Sequence, residues 1–441
     1  MLYQAIPFFT ILVLAFINLL KKRQLICVSN LVLLYYVFCY GGAIFVYLKP
    51  RTGFPFSDFN AMKYLAICIM FLLLPLLFLK DNAKLLPDAE TLTLNTPKMW
   101  MFKKIIAIIT VFAFVFFLPN IGKLVNFLLS DVSREVYRLD LDRSIRGNYL
   151  KMAAGFCMCF SKLALFLAVH SFVFDKDRSH RKVFYCLLLG SLSLSLWAMD
   201  QIDRRELGKI IFLLVVLFVI YYHYLGKEKR KQFVRFACLC ILLILIPFGA
   251  ISIYRFSGDV MFQLFQYFSL GPYFFNADYI ASTEMGLPLF YGNYNFPILT
   301  KCLEVFIKIP QQPYLVQELW SSPDILQEFF SIYYSISMCH PFEFKTLIGC
   351  FLLDYPADVV LWICVGIGCV FLFYFRFSKV NIAYLFVTYI YSYTLLFGTI
   401  MWAFSYFIFN LELLLLIFSF FLLWLYGKSQ PPKTIKSLGQ S

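Results

Sequence analysis

The chain has 441 residues, of which 61% are hydrophobic, 20% aromatic and 15% charged, whereas soluble domains run at about 45–50% apolar and about 25% charged. That composition excludes a soluble cytosolic enzyme, a secreted disulfide scaffold and a nucleic-acid-binding module. The net charge of +14 reads instead as Lys and Arg gathered in the cytoplasmic loops of an all-α, polytopic membrane protein.

A helix crosses the hydrocarbon core in about 20 residues. The run up to Leu20 has no basic stretch before it and is followed by Lys21-Lys22-Arg23, so it is expected as a first spanning helix rather than a cleaved signal. Further spans are expected near 25–48, 62–79, 105–122, 150–173, 183–199, 210–225, 236–253 and 357–375. The stretch 381–426 holds Glu412 as its only charge and is long enough for two crossings. It is expected as a hairpin turning near 400–405, for eleven spans in all. The expected organisation is eight helices over 1–253, a large outer segment over 254–355, three helices over 356–426 and a basic cytoplasmic tail over 427–441.

Loops 21–24, 80–104, 175–182, 226–235 and 376–380, with the tail, carry 22 basic and 6 acidic residues, against 17 and 19 in the rest of the chain. The alternation puts the N-terminus outside and the C-terminus in the cytoplasm. Thirteen cysteines, ten of them in apolar segments, imply small packing residues rather than a disulfide framework.

The outer segment 254–355 contains seven of the 18 prolines yet is rich in Phe and Tyr, so it is expected to be ordered against the membrane face. Met261–Phe275 is aromatic and uncharged, the pattern of an interfacial or re-entrant helix broken at Gly271-Pro272. Lys301–Lys308 alternates apolar and charged faces, as a short amphipathic helix on the bilayer would.

Arginines gather on the outer side, where positive-inside bias should deplete them. Arg134, Arg138, Arg143 and Arg146 share one loop, Arg204 and Arg205 another, and Arg255 opens the long segment. A guanidinium matches phosphate bidentately and stays charged, so Arg143, Arg146, Arg204, Arg205 and Arg255 are candidate ligands for a diphosphate. The competing reading is solvated ion pairs, since Asp142 and Arg146, and Asp200 and Arg204, stand four apart. Asp200, Asp203 and Arg204 would share a face if one helix ran through them. A carboxylate there could take a proton from a sugar hydroxyl while Arg204 stabilises a departing anion; the alternative is a pair of acids at a helix start. Glu412 is a charge at membrane depth, a functional hypothesis by default. No metal or cofactor motif is present: the four His are scattered, and no Walker, GxGxxG, GxSxG or HExxH pattern occurs.

The layout of about eleven spans, a large late outer loop and outer Arg clusters resembles the Wzy-type O-antigen polymerases, the oligosaccharide repeat-unit polymerases. Arg255 followed by Tyr267-Phe268-Ser269-Leu270-Gly271-Pro272 is similar to that family's Arg and Tyr-x-x-Gly-Pro, with one extra residue before the Gly. Asp203-Arg204-Arg205 stands where members have an Arg at a helix mouth. Ile332-Tyr-Tyr-Ser and Leu353-Asp354-Tyr355 are similar to the family's Asn-Val-Tyr-Thr and Asp-Phe-Gly, with Pro356 where the last Gly would stand.

The resemblance implies an enzyme of the bacterial cytoplasmic membrane working at its outer face, with no metal or other cofactor. Its substrates would be oligosaccharide repeat units on undecaprenyl diphosphate, and its partners membrane lipid and a chain-length regulator protein, with no nucleic acid. Asp200, Asp203 and Arg204 would be catalytic, the arginines would hold the diphosphate, and Tyr267, Tyr273 and Tyr291 would stack on sugar rings. Rival readings are an O-antigen ligase, another lipid-linked-sugar glycosyltransferase, or a lipid-linked oligosaccharide flippase. The first outer loop has only Asp58 as an acid, which counts against the second. The halves show no repeat, which counts against the flippase.

Overall fold

The computed structural model describes residues 2–48, 58–82, 87, 92, 96–123, 149–175, 181–200, 204–255, 260–283, 346–399 and 407–428. Fifteen α-helices carry them, in chain order α1 (Ala5–Lys22), α2 (Val28–Leu48), α3 (Phe59–Leu73), α4 (Pro97–Phe117), α5 (Tyr149–Met158), α6 (Ser161–Phe174), α7 (Arg181–Ser191), α8 (Ser193–Asp200), α9 (Arg204–Tyr221), α10 (Lys227–Arg255), α11 (Val260–Thr283), α12 (Leu347–Asp354), α13 (Ala357–Phe377), α14 (Ile382–Phe397) and α15 (Phe407–Lys428). No strand occurs among the described residues.

Local chemistry sets the helix boundaries. Asp58 accepts a hydrogen bond from Ala61 N at 2.7 Å and caps α3. Thr96, followed by Pro97, starts α4, Thr346 starts α12 and Asn381 starts α14. Each side chain satisfies an amide that the helix itself leaves without a partner. α1 stops where Arg23 turns left-handed, its N–H donating to Leu19 O at 3.0 Å.

Among the described residues, six helical stretches are long and apolar enough to cross a membrane: Ala5–Lys22, Val28–Phe45, Phe59–Phe78, Pro97–Lys123, Arg181–Met199 and Ala357–Phe377. α5 and α6 make a seventh if counted as one span, although they are bent by 40°. These helices make the chain a multi-pass membrane protein. The bend has a backbone cause: Cys159 N and Phe160 N donate to the carbonyls of Phe156 and Cys157, three residues back instead of four. This tightened turn closes α5, and α6 restarts with Ala164 N on Phe160 O.

Two groups of helices are joined through a centre. α1, α2 and α3 pack together, with α11 along α2 and α13 against α3; α4 packs against α5, α6, α7 and α8. Between the groups, α9 touches α2, α6, α8, α10 and α14, and α14 touches α2 and α15. The centre is aromatic: Tyr221, Tyr384, Tyr389, Tyr393, Phe166 and Phe275 are among its largest fully buried side chains.

Two expectations change here. α11 runs unbroken from Val260 to Thr283 with Pro272 inside it. A proline in mid-helix forfeits one backbone hydrogen bond, but α11 lies against α2, α3, α12 and α13, and that packing holds the helix through the proline. Secondly, α8 packs against α9, so Asp200 ends one helix and Arg204 begins the next. Asp200 and Arg204 therefore stand on two helices, and Asp203 between them lies outside the described residues.

Candidate functional site

Two buried lysines mark the centre of the bundle. Lys162, the second residue of α6, places Nζ 2.5 Å from Glu412 Oε2 on α15, with side chains 0% and 2% exposed. Burying either ion alone at membrane depth costs several kcal/mol, so each is held there by the other. Tyr389 OH donates to Lys162 O at 3.3 Å. Glu412 Oε1 accepts no hydrogen bond among the described residues.

The second lysine, Lys209 on α9, is 1% exposed and connects to the first through rings of α14. Lys162 Nζ lies 4.8 Å from the Tyr393 ring centroid. Tyr393 stacks on Phe397 at 6.1 Å and 15°, and Lys209 Nζ lies 4.9 Å from Phe397. Ring faces are electron-rich and attract a desolvated ammonium, so this column helps stabilise two buried cations in the bundle interior.

Phe397 opens a junction at the C-terminal end of α14. Gly398 O accepts from Leu347 N, the first residue of α12, at 2.6 Å. Thr399 Oγ1 pairs with Tyr35 OH of α2 at 3.1 Å. Phe212 of α9 lies 6.5 Å from Phe397 and 5.5 Å from Tyr35, and Tyr35 meets Phe268 of α11 at 6.5 Å. Gly271 lets α11 come against this corner: a Cβ there would sit inside the van der Waals radius of Thr399 O. Gly349 does the same between α12 and α11, where a Cβ would strike Asp278 Oδ2. Asn276 Oδ1 accepts from Asp58 N at 2.8 Å, joining α11 to the head of α3. Five helices, α2, α9, α11, α12 and α14, therefore meet around Phe397–Thr399.

The residues singled out in the sequence distribute as follows. Arg204 and Arg205 are the first two residues of α9, five and four positions before Lys209, so one helical turn separates them from the junction. Asp200 ends α8, Arg255 ends α10 and Tyr267 lies in α11; the side chains of all five lie outside what is described. Asp203, Arg143, Arg146 and Tyr291 lie outside the described residues altogether, as do Lys301–Lys308 and Ile332–Ser335. Tyr273 is buried in α11, edge-on to Phe274 at 5.3 Å. Asp354 is fully buried at the end of α12. Burial, with the Asp354 carboxylate beside it, pushes the Tyr355 phenol up to about 12.

Two stretches that carry the family resemblance, Gly271-Pro272 within α11 and Leu353-Asp354-Tyr355 at the C-terminal end of α12, thus lie on helices that pack on each other. No protein-family model, no curated protein and no solved structure matches the chain. Sequence reasoning missed Lys162. The signal was present, a lysine in the middle of the apolar run 150–173, and it carries the same meaning there as Glu412 does in its own run.

Proposed function

We propose that this chain is an eleven-span glycosyltransferase of the bacterial cytoplasmic membrane that polymerises lipid-diphosphate-linked oligosaccharide repeat units at the outer face. In this reading Asp200 or Asp203 takes the proton from an acceptor hydroxyl. The freed oxygen attacks the anomeric carbon of the growing chain, and the bond from that carbon to the diphosphate breaks. Arg204 and Arg205, with Arg143, Arg146 and Arg255, stabilise the charge of the departing undecaprenyl diphosphate. Tyr267, Tyr273 and Tyr291 supply sugar-stacking faces.

One observation carries the reading: helices from three separate parts of the chain that bear its family-like residues meet at one end of α14. They are α9 with its opening arginines one turn from Lys209, α11 with Gly271-Pro272, and α12 ending at Asp354. Active sites of this kind draw residues from several elements held on a rigid scaffold. The test is deletion of the gene followed by a gel of the surface polysaccharide. Collapse of the ladder to a single repeat supports polymerisation. Loss of every repeat points to ligation, flipping or unit assembly, and an unchanged ladder removes the proposal.

A second reading has one observation in its favour. The Lys162–Glu412 pair sits beside the bend between α5 and α6, and transporters build midplane sites at broken helices. A carrier of lipid-linked oligosaccharide would, when deleted, leave its substrate on the inner leaflet, and no repeat would reach the surface.

A further inference from the structure

A cavity of about 410 Å³ lies between α13, α14 and α15, walled also by Leu72 of α3 and Leu347 of α12. That volume falls within the range of small-molecule sites, about 300–1,000 Å³. Along α14 it extends from Phe386 to Leu395, about 14 Å at 1.5 Å per residue. Its walls are hydrocarbon and aromatic, and two of the three hydroxyl-bearing residues that line it, Tyr391 and Thr394, use their hydroxyls elsewhere. Tyr391 OH donates to Leu72 O at 2.5 Å and Thr394 Oγ1 to Ile390 O at 2.8 Å.

The two ends of the cavity differ. Val370, Ile417 and Phe421 line it on one side and are 65%, 46% and 54% exposed, so it opens outward between α13 and α15. α13 is an apolar helix of membrane-crossing length and α15 is nearly uniformly apolar, so in a bilayer this opening faces lipid tails. The floor is Leu72, Leu347 and Leu395, all buried. Leu347 and Leu395 are also part of the junction, since Leu347 N donates to Gly398 O and Leu395 O accepts from Tyr36 OH at 2.9 Å. The cavity therefore runs from the lipid side of the bundle to within two residues of Phe397, the ring on which Lys209 lies.

We infer that this cavity holds a segment of the polyprenyl chain of the lipid-linked substrate, with its diphosphate at the junction. The inference rests on the proposed function for the identity of the lipid, and on the cavity itself for the place. A water-soluble ligand finds almost no polar group on these walls, and desolvating its own polar groups there would oppose binding. An apolar chain gains from every wall it touches, and the anionic head of the same molecule would lie at the floor of the cavity, where Leu347 and Leu395 join the junction. An ordinary phospholipid tail would satisfy the walls equally well and is the alternative that the experiment separates.

The experiment uses the purified full-length chain in nanodiscs of phosphatidylethanolamine and phosphatidylglycerol. The probe is a polyprenyl diphosphate carrying a diazirine on its tail. Illumination should label α14 and α15 around Ile390 and Leu416, and unlabelled polyprenyl diphosphate should compete while added phospholipid does not. Ile390→Trp, which fills the cavity, and Val370→Trp, which blocks its exposed mouth without touching the core, should each lower labelling about tenfold, the effect of losing burial of roughly two methylenes. Labelling confined to other helices, or competition by phospholipid equal to that by polyprenyl diphosphate, overturns the inference. A deletion that leaves the ladder intact while the probe still labels the cavity removes polymerisation and keeps the lipid site. A ladder that collapses while the probe labels elsewhere does the reverse.

Discussion

The Lys22–Asp81 and Lys162–Glu412 pairs are both buried lysine–carboxylate bridges, at 2.7 and 2.5 Å, set in different surroundings. Lys22 Nζ also donates to Leu79 O, and Asp81 Oδ2 accepts from Ser29 N at 2.8 Å. Beside them Asn18 bonds to Ser29 and Asn30, and Asn82 bonds to Lys22 O. Both oxygens of Asp81 are used, at the place where α1 ends and α2 begins. Glu412 uses one oxygen among the described residues, and its lysine also lies against the Tyr393 ring. A carboxylate with both oxygens bonded fixes how helices join, whereas one with a bare oxygen at membrane depth stays costly to bury. The first pair is a clamp between helix ends, and the second ties α6 to α15 in the bundle interior.

That contrast breaks most visibly when one ion is removed. Lys162→Met leaves the Glu412 carboxylate buried without its cation and should destabilise the chain by about 3–5 kcal/mol, while Lys162→Met with Glu412→Leu recovers most of the loss. Thermal unfolding in detergent followed by tryptophan fluorescence reads both, and a double variant no more stable than the single one contradicts the pairing. Lys22→Met should cost less, about 1–3 kcal/mol, because Asp81 keeps the Ser29 amide; equal losses at the two lysines would erase the distinction.

Gly271→Ala probes the junction by steric means. Its methyl group would meet the carbonyl oxygen of Thr399, which is backbone and cannot rotate away. The expected destabilisation is about 1–3 kcal/mol, and a neutral result in the same melt would mean that α11 and α14 are further apart than described. The smallest effect concerns Cys27, just outside α2 beside the clamp. Burial, and then the Asp81 carboxylate, push its thiol up. Its alkylation by a maleimide, relative to the denatured chain, should be slow near neutral pH and still rising above the ordinary thiol value of about 8.5. A plateau below that pH would show an exposed, ordinary thiol.

Much of the fold was legible, and for a physical reason. A run of about 20 apolar residues has few ways to satisfy its backbone other than as a helix in a bilayer; the described residues are helical along the apolar runs, with six helical stretches, or seven with the bent pair, long and apolar enough to cross. Composition did not carry continuity. The stretch 150–173 looks uniform but bends at Cys159-Phe160, because a shift from four-back to three-back hydrogen bonding leaves no trace in hydropathy. Gly271-Pro272 looks like a break and is not one, because neighbouring helices compensate for the proline.

The candidate site was legible in half. Glu412 stood out as a charge in an apolar run, but its partner lies 250 residues earlier, and nothing local connects them. Lys209 is next to arginines, where its charge passes as one of a cluster; only the rings of α14 distinguish it. The convergence of α9, α11 and α12 on Phe397–Thr399 is tertiary and could not be read from spacing.

The central claim is that this junction is where the proposed glycosyl transfer takes place. Its most direct test is the surface-polysaccharide ladder of a deletion strain complemented with Lys209→Met, beside Lys209→Arg and the wild-type chain, at matched membrane abundance. The account predicts a single repeat with Lys209→Met, partial return of the ladder with Lys209→Arg and a full ladder with the wild type. A full-length ladder from Lys209→Met would contradict it.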